Sequence, residues 1–89
     1  MKLTELKING FTLDTRSSSC TDSVFYVNDD DEDTWLEILW DTMEDNRIIL
    51  HAVIDGSSKV MTTLIGNEID NLETFANKIA DKIINGEIK

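Results

Sequence analysis

The chain has 89 residues, of which 40% are hydrophobic, and it carries a formal net charge of −10 at pH 7. This length predicts one domain with one core over residues 1–89 and leaves no room for a second. The apolar content argues against wholesale disorder, and the acidic balance argues against direct binding to DNA or RNA, which depends on clustered Lys and Arg.

The first two segments, residues 3–8 and 11–16, alternate apolar and polar side chains on either side of Asn9-Gly10. Because Asn-Gly strongly favours a type I′ turn, the sequence predicts a hairpin here. Residues 17–22 favour turns, and residues 23–27 (Ser-Val-Phe-Tyr-Val) predict a third strand. The acidic run 28–33 is then expected to be a solvated loop.

Residues 34–45 admit two interpretations. A helix would share one broad apolar face among Trp35, Leu36, Ile38, Leu39, Trp40 and Met43, with Thr34 and Glu37 spaced as a capping box. A strand would point Leu36, Ile38 and Trp40 to one side and Trp35, Glu37, Leu39 and Asp41 to the other. The strand is favoured, because Thr, Trp, Ile and Asp are weak helix formers and fill seven of the twelve positions.

The second half of the chain gives clearer patterns. Residues 47–55 predict a strand with Ile48, Leu50, Ala52 and Ile54 inward, residues 56–58 a turn, and residues 59–65 another strand. Apolar residues then recur at helical spacing and predict an amphipathic helix over residues 70–85. Its expected features are a cap from Asp70 and Glu73, a stop at Gly86, and a buried face of Leu72, Phe75, Ile79 and Ile83.

These elements predict an α+β fold: an antiparallel β-meander of five or six strands with a C-terminal amphipathic helix packed on one face. A second helix at residues 34–45 is the alternative. Six strands are wider than one helix. The sheet is therefore expected to curl, to pair with another molecule, or to be covered by that second helix.

No arrangement of residues predicts catalysis or metal binding. An EF-hand loop starting at Asp29 would need Gly and Glu at its sixth and twelfth positions, where Thr34 and Trp40 stand. Phosphate-binding loops and paired Cys or His motifs do not occur, and pairing His51 with Cys20 as base and nucleophile has only the residue types in its favour. We expect no catalytic residue, no metal, no cofactor and no enzymatic activity.

The sequence predicts a cytoplasmic protein that does not enter membranes. It contains no apolar stretch approaching the ~18 residues of a spanning helix, and its first residues lack the apolar segment of a signal peptide. The single cysteine, Cys20, suits a reducing compartment.

The excess charge is concentrated in one quarter of the chain. Residues 22–45 hold ten Asp and Glu and no Lys or Arg, whereas the remaining acids equal the eight basic residues in number. An ordered surface of this kind can occupy a groove built to hold phosphates. The predicted binding residues are Asp29, Asp30, Asp31, Glu32, Asp33, Trp35, Glu37, Leu39, Asp41, Glu44 and Asp45.

In size and charge the chain resembles small acidic inhibitors that phages and mobile elements encode against host nucleases and restriction systems. The resemblance covers no motif. It implies a partner that is basic and handles nucleic acid, a nuclease or a defence effector. The alternatives are an immunity protein that neutralises a basic toxin, a homo-oligomeric structural or assembly subunit, and acids that only solubilise the domain. A homodimer is left open.

Overall fold

The computed structural model describes residues 3–14, 23–41 and 47–88. Five antiparallel strands form one sheet in the order β1-β2-β3-β4-β5. They are β1 (Phe11–Leu13), β2 (Ser23–Asn28), β3 (Asp31–Asp41), β4 (Arg47–Ile54) and β5 (Ser57–Ile65). A 3-10 helix, Leu3–Glu5, precedes the sheet, and a second, Gly66–Asn71, leads into the helix α1 (Leu72–Ile84). The predicted α+β meander with a C-terminal helix is confirmed.

β3 resolves the ambiguous segment in favour of a strand. Its side chains alternate between buried Leu36 and Ile38 and half-buried Trp35, Glu37 and Leu39, as a period of two requires. The strand also begins earlier than predicted: the turn is confined to 29–30, and the loop expected over 28–33 is wrong at 28, which belongs to β2, and at 31–33. Residues 42–45, the turn expected at 45–46 and the turns expected at 17–22 lie outside the described ranges.

The predicted N-terminal hairpin is wrong. β1 pairs with β2 rather than with residues 3–8, and only Gly10 of the Asn9-Gly10 pair has a positive φ, of 80°. The Phe11 N–H donates to the Ile8 carbonyl at 3.2 Å. A single positive φ at the third residue of the turn is the pattern of a type II turn, whereas type I′ needs two.

Side chains of α1 supply the hydrogen bonds that a strand would have made with the N-terminal segment. Glu73 Oε1 accepts from the Lys7 N–H at 2.6 Å. The Asn77 side-chain amide makes two hydrogen bonds to the segment. Its Nδ2 donates to the Lys7 carbonyl at 2.8 Å, and its Oδ1 accepts from the Asn9 N–H at 2.9 Å. Because these backbone groups are hydrogen-bonded to the helix, they are satisfied without pairing to a strand.

Tyr26 fastens the same segment to the sheet. Its buried hydroxyl donates to the Leu3 carbonyl at 2.6 Å and accepts from the Leu6 N–H at 3.1 Å. Leu3, Ile8 and Phe11 are buried in the core beside the helix. The segment therefore covers part of the sheet that α1 alone is too narrow to reach.

The buried face of α1 differs from the predicted one. Leu72 is completely buried as predicted, together with Ala76 and Ala80, whereas Phe75, Ile79 and Ile83, which were also predicted to be buried, are only half-buried at the edges of the core. The small Ala side chains let the helix approach the sheet closely. The larger side chains then pack around the contact on either side.

The helix ends are confirmed in part. Gly86 has a φ of 73° and its N–H donates to the Ile83 carbonyl, as expected for the left-handed stop. The predicted cap is wrong, because the 3-10 helix leads directly into α1 and Asn71 makes no side-chain cap hydrogen bond. Glu73 is used on the N-terminal segment instead.

Replacing Gly10 by Ala should lower the free energy of unfolding by about 1–2 kcal/mol, because an L-residue is strained at positive φ. The added Cβ would also lie 2.6 Å from Ile84 Cδ1. Urea denaturation of Gly10→Ala, alone and with Ile84→Ala, separates the two effects. The second change relieves only the contact, so most of the loss should remain; an unchanged midpoint for Gly10→Ala contradicts the turn geometry.

Tyr26→Phe should destabilise the fold by about 1–3 kcal/mol at neutral pH, because the Leu3 carbonyl loses its donor. Burial raises the pKa of Tyr26 above its usual 10.0. The contribution of the neutral hydroxyl is thus complete below pH 10.0 and is lost as the pH rises through the higher folded value.

Urea denaturation across the alkaline range should therefore show a steeper loss for the wild type than for Tyr26→Phe. Tyr26 is the only tyrosine, so tyrosinate absorbance reports on it alone. A titration midpoint at or below 10.0 would show that the hydroxyl is not held as described.

Candidate functional site

Five consecutive acids form one end of the sheet, which we call the acidic end: Asp29, Asp30, Asp31, Glu32 and Asp33. The turn between β2 and β3 is held by side chains. Asn28 Oδ1 accepts from the Asp30 N–H at 2.9 Å, and Thr12 Oγ donates to Asp29 Oδ1 at 2.6 Å. Asp30, Glu32 and Asp33 are exposed. The turn thus presents several carboxylates to solvent on a defined backbone.

Asp31 has a structural role in addition to its charge. Its carboxylate accepts from the Asp33 N–H at 3.0 Å and from the buried Thr34 hydroxyl at 2.8 Å. The Thr34 hydrogen bond, followed by the Asp33 N–H, holds the pKa of Asp31 below its usual value. Thr34 Oγ also accepts from the Asp55 N–H at 3.3 Å, so the acidic end is tied to the β4–β5 turn.

Asp55 adds a carboxyl group that the sequence analysis did not include. The hydrogen bond between the Asp31 and Asp55 carboxyl groups, reinforced by the negative charge of Asp31, raises the pKa of Asp55. Asp55 and Gly56 both have positive φ, 52° and 78°, between the paired residues Ile54 and Ser57. This two-residue loop has the type I′ geometry that had been expected at Asn9-Gly10, and it replaces the turn predicted at 56–58.

One face of the sheet is not covered by α1, and we call it the helix-free face. Along each strand its residues alternate with the core residues; they include Phe25, Val27, Trp35, Glu37, Leu39, Arg47, Ile49, His51, Ser58, Met61, Thr63 and Ile65. Trp35, Glu37 and Leu39 lie here together, as the strand interpretation predicted. All three are half-buried.

The acidic end and the helix-free face meet at two adjoining clefts. The larger, of about 720 Å³, has the carboxylates of Asp14, Asp29, Glu32 and Asp33 in its wall. The smaller, of about 230 Å³, is lined by Asp14, Phe25, Val27, Glu32 and Trp35. Apolar rings and carboxylates are therefore placed side by side.

The structure does not bring all the predicted binding residues into one patch. At about 3.3 Å per residue, Asp31 and Asp41 are roughly 33 Å apart at opposite ends of β3. The side chain of Asp41 and the whole of Glu44 and Asp45 lie outside the described ranges. The predicted set therefore divides into the acidic end and the central group of Trp35, Glu37 and Leu39.

A cross-strand contact joins three polar residues on the helix-free face. His51 Nε2 lies 2.6 Å from Ser58 Oγ, and His51 Nδ1 lies 3.6 Å from Glu37 Oε1. The second distance is longer than a hydrogen bond, and Ser58 is exposed on the last strand. The contact links β3, β4 and β5, and His51 itself is half-buried.

Sequence reasoning missed the residues that other strands contribute to the clefts. Asp14 follows β1 and Asp55 follows β4, so no local pattern connects them with residues 29–33. Phe25 and Val27 could have been found, because alternation within 23–27 places both on the side opposite Val24 and Tyr26.

In comparisons with known proteins, no family model, no curated protein and no solved structure matches the chain. The described residues contain no group of three or more His, Cys, Asp or Glu side chains placed to hold a metal ion. In the same ranges, no helix combines the length and the apolar character needed to cross a bilayer.

Replacing Asp55 by Asn should raise the melting temperature at neutral pH. Because the folded pKa of Asp55 is raised, its stabilising effect is complete below the usual value of 3.8 and is lost as the pH rises through the folded value. Asn removes the repulsion from Asp31 and still tolerates the left-handed conformation.

Thermal melts at neutral pH and below pH 3.8 test this expectation, and the gain should be confined to neutral pH. Asp30→Asn removes an equal charge from the neighbouring turn and is the matched control. An equal gain from both variants would assign the effect to net charge rather than to the Asp31–Asp55 pair.

Proposed function

We propose that the chain is a small acidic inhibitor that binds a basic, nucleic-acid-handling protein and occupies its nucleic-acid site. The observation that supports this proposal is the meeting of the acidic end with Phe25, Val27 and Trp35 at the paired clefts. The acidic end carries the charge that such a partner recognises, and the rings beside it offer apolar contacts.

Electrostatics favours a partner whose groove is lined by Lys and Arg. Such a groove attracts counterions when it is empty, and a rigid set of carboxylates can displace them as a phosphate backbone does. The Asn28 and Thr12 hydrogen bonds hold the β2–β3 turn in one conformation. Little conformational freedom is then lost at that turn on binding, which favours affinity.

The apolar part of the surface supplies specificity beyond charge. Trp35 is half-buried on the helix-free face and lines the smaller cleft with Phe25. Tryptophan is enriched among the residues that dominate binding energies, particularly inside a polar rim. In this proposal Trp35 is the central apolar contact and Glu32 and Asp33 belong to the rim.

The test neutralises exposed acids that make no side-chain hydrogen bond described above: Asp30→Asn, Glu32→Gln and Asp33→Asn together. The matched control, Asp70→Asn with Asp81→Asn and Glu87→Gln, removes the same charge from exposed positions elsewhere. Wild type and both variants are used to capture proteins from extract of the source cell. Each captured protein that binds DNA or RNA is then purified and loaded with a labelled duplex.

The wild type and the control should release the labelled nucleic acid, and the first variant should require at least tenfold more protein, because its association is no longer steered. Raising the salt should weaken wild-type binding as the Debye length shrinks to about 8 Å. Equal potency of the two variants, or captured proteins that do not handle nucleic acid, would refute the proposal.

A further inference from the structure

The outer edge of β5 is a second surface with a character of its own. β5 runs over nine residues, Ser57–Ile65, and pairs on one side with β4. No described strand pairs with its other side. A long edge strand presents a row of backbone N–H and C=O groups that another strand can bind.

This edge carries no acid and exposes apolar side chains. Residues 57–65 contain no acid, and Lys59 is their only charged residue. Met61 and Ile65 are 65% and 57% exposed, and they are two of the three large hydrophobic side chains exposed among the described residues. In a chain with a net charge of −10, this acid-free strand repels a like-charged molecule less than the acidic end does.

Part of β5 is protected against pairing. The register with β4 shifts between Ala52 and Val53, which pair with Val60 and Ser58, so Lys59 is the extra residue of a β-bulge. A bulge and a Lys are two of the devices that keep edge strands from associating. Residues 60–65 lack both devices. The Ile65 N–H already donates to Glu68 Oε1 at 3.2 Å, so pairing is confined to the other backbone groups of residues 60–65.

We propose that a second copy of this chain pairs antiparallel with β5 through a two-fold axis at Thr63. Residues opposite one another in an antiparallel pair share a face. In this register Met61 lies opposite Ile65 of the second copy, and the two Thr63 side chains face each other. Apolar and Thr–Thr cross-strand pairs both stabilise a sheet.

The antiparallel arrangement also separates the excess charge. The acidic end lies at the same end of the sheet as the start of β5, because the β2–β3 and β4–β5 turns are at one end of the meander. A two-fold axis at Thr63 then places the two acidic ends roughly 40 Å apart along the strands. This is several Debye lengths at physiological salt, whereas a parallel pair would place them side by side.

The predicted dimer is tested by sedimentation of the full chain from about 1 μM to about 1 mM, the range suited to a small interface. The wild type should form a dimer as the concentration rises. Met61→Lys with Ile65→Lys should remain monomeric. Ile84→Lys is the control for a Lys placed at an exposed apolar position, because Ile84 is 53% exposed on α1, away from the edge. It should dimerise like the wild type.

Leu39→Lys distinguishes edge pairing from packing of two helix-free faces. Leu39 lies two strands away from the edge, so its replacement should leave an edge dimer intact and disrupt a face-to-face dimer. In the Cys20→Ser background, Thr63→Cys should form a disulfide across the two-fold axis under mild oxidation. Circular dichroism confirms that each variant is folded.

A wild type that stays monomeric over the whole range overturns the inference, as does loss of the dimer in Ile84→Lys or Leu39→Lys. Persistence of the dimer in Met61→Lys with Ile65→Lys overturns it as well. This inference does not depend on the proposed function, and the salt dependence of binding distinguishes the two. Screening should strengthen association between two copies that carry like charge and weaken binding to a basic partner.

Discussion

The buried hydroxyl of Tyr26 determines how the sheet is covered. A five-stranded sheet is wider than the single helix packed on it, so part of its core side would face water without a second covering element. By bonding to Leu3 and Leu6, Tyr26 fastens the N-terminal segment over that part. Glu73 and Asn77 of α1 form further hydrogen bonds to the backbone of Lys7 and Asn9. Helix and segment together form one layer over one face of the sheet.

Covering one face so completely leaves the other available for interactions. The helix-free face carries a set of half-buried apolar residues, among them Trp35 and Leu39. The acids lie mainly at one end of this face and the acid-free edge of β5 at one side. The two proposals therefore concern separate regions, and a dimer through β5 would leave both acidic ends accessible.

The sequence predicts those parts of the fold whose patterns are local. Alternation identified β4 and the faces of β3, and helical spacing identified α1, because in each case one face is buried. The N-terminal hairpin failed for a physical reason. Asn9-Gly10 has the composition of a type I′ turn, but residues 3–8 find their hydrogen-bond partners on Tyr26 and on a helix more than sixty residues away. The same turn type occurs at Asp55-Gly56, where the flanking strands do pair.

Only part of the candidate site could be predicted from the sequence. The acidic run and Trp35 belong to one segment, and their placement on β3 followed once the strand was recognised. Asp14 and Asp55 reach the same end of the sheet through strand order, which no short pattern encodes. The large side chains of α1 were assigned to its buried face on hydrophobicity alone. Close packing instead selected Ala76 and Ala80 for the positions nearest the sheet.

The order of strands in the sheet follows their order in the chain, and this has a consequence for the folding pathway. Each strand pairs with its neighbour in sequence, so the meander can grow through short loops that are closed at little entropic cost. The contacts of Lys7 with Glu73 and Asn77 join residues 66 and 70 positions apart. These hydrogen bonds stabilise the closed loop only after α1 has formed, because Glu73 and Asn77 belong to α1. The N-terminal segment is therefore the natural last element to dock, and its release would expose the core while leaving the strand pairing intact.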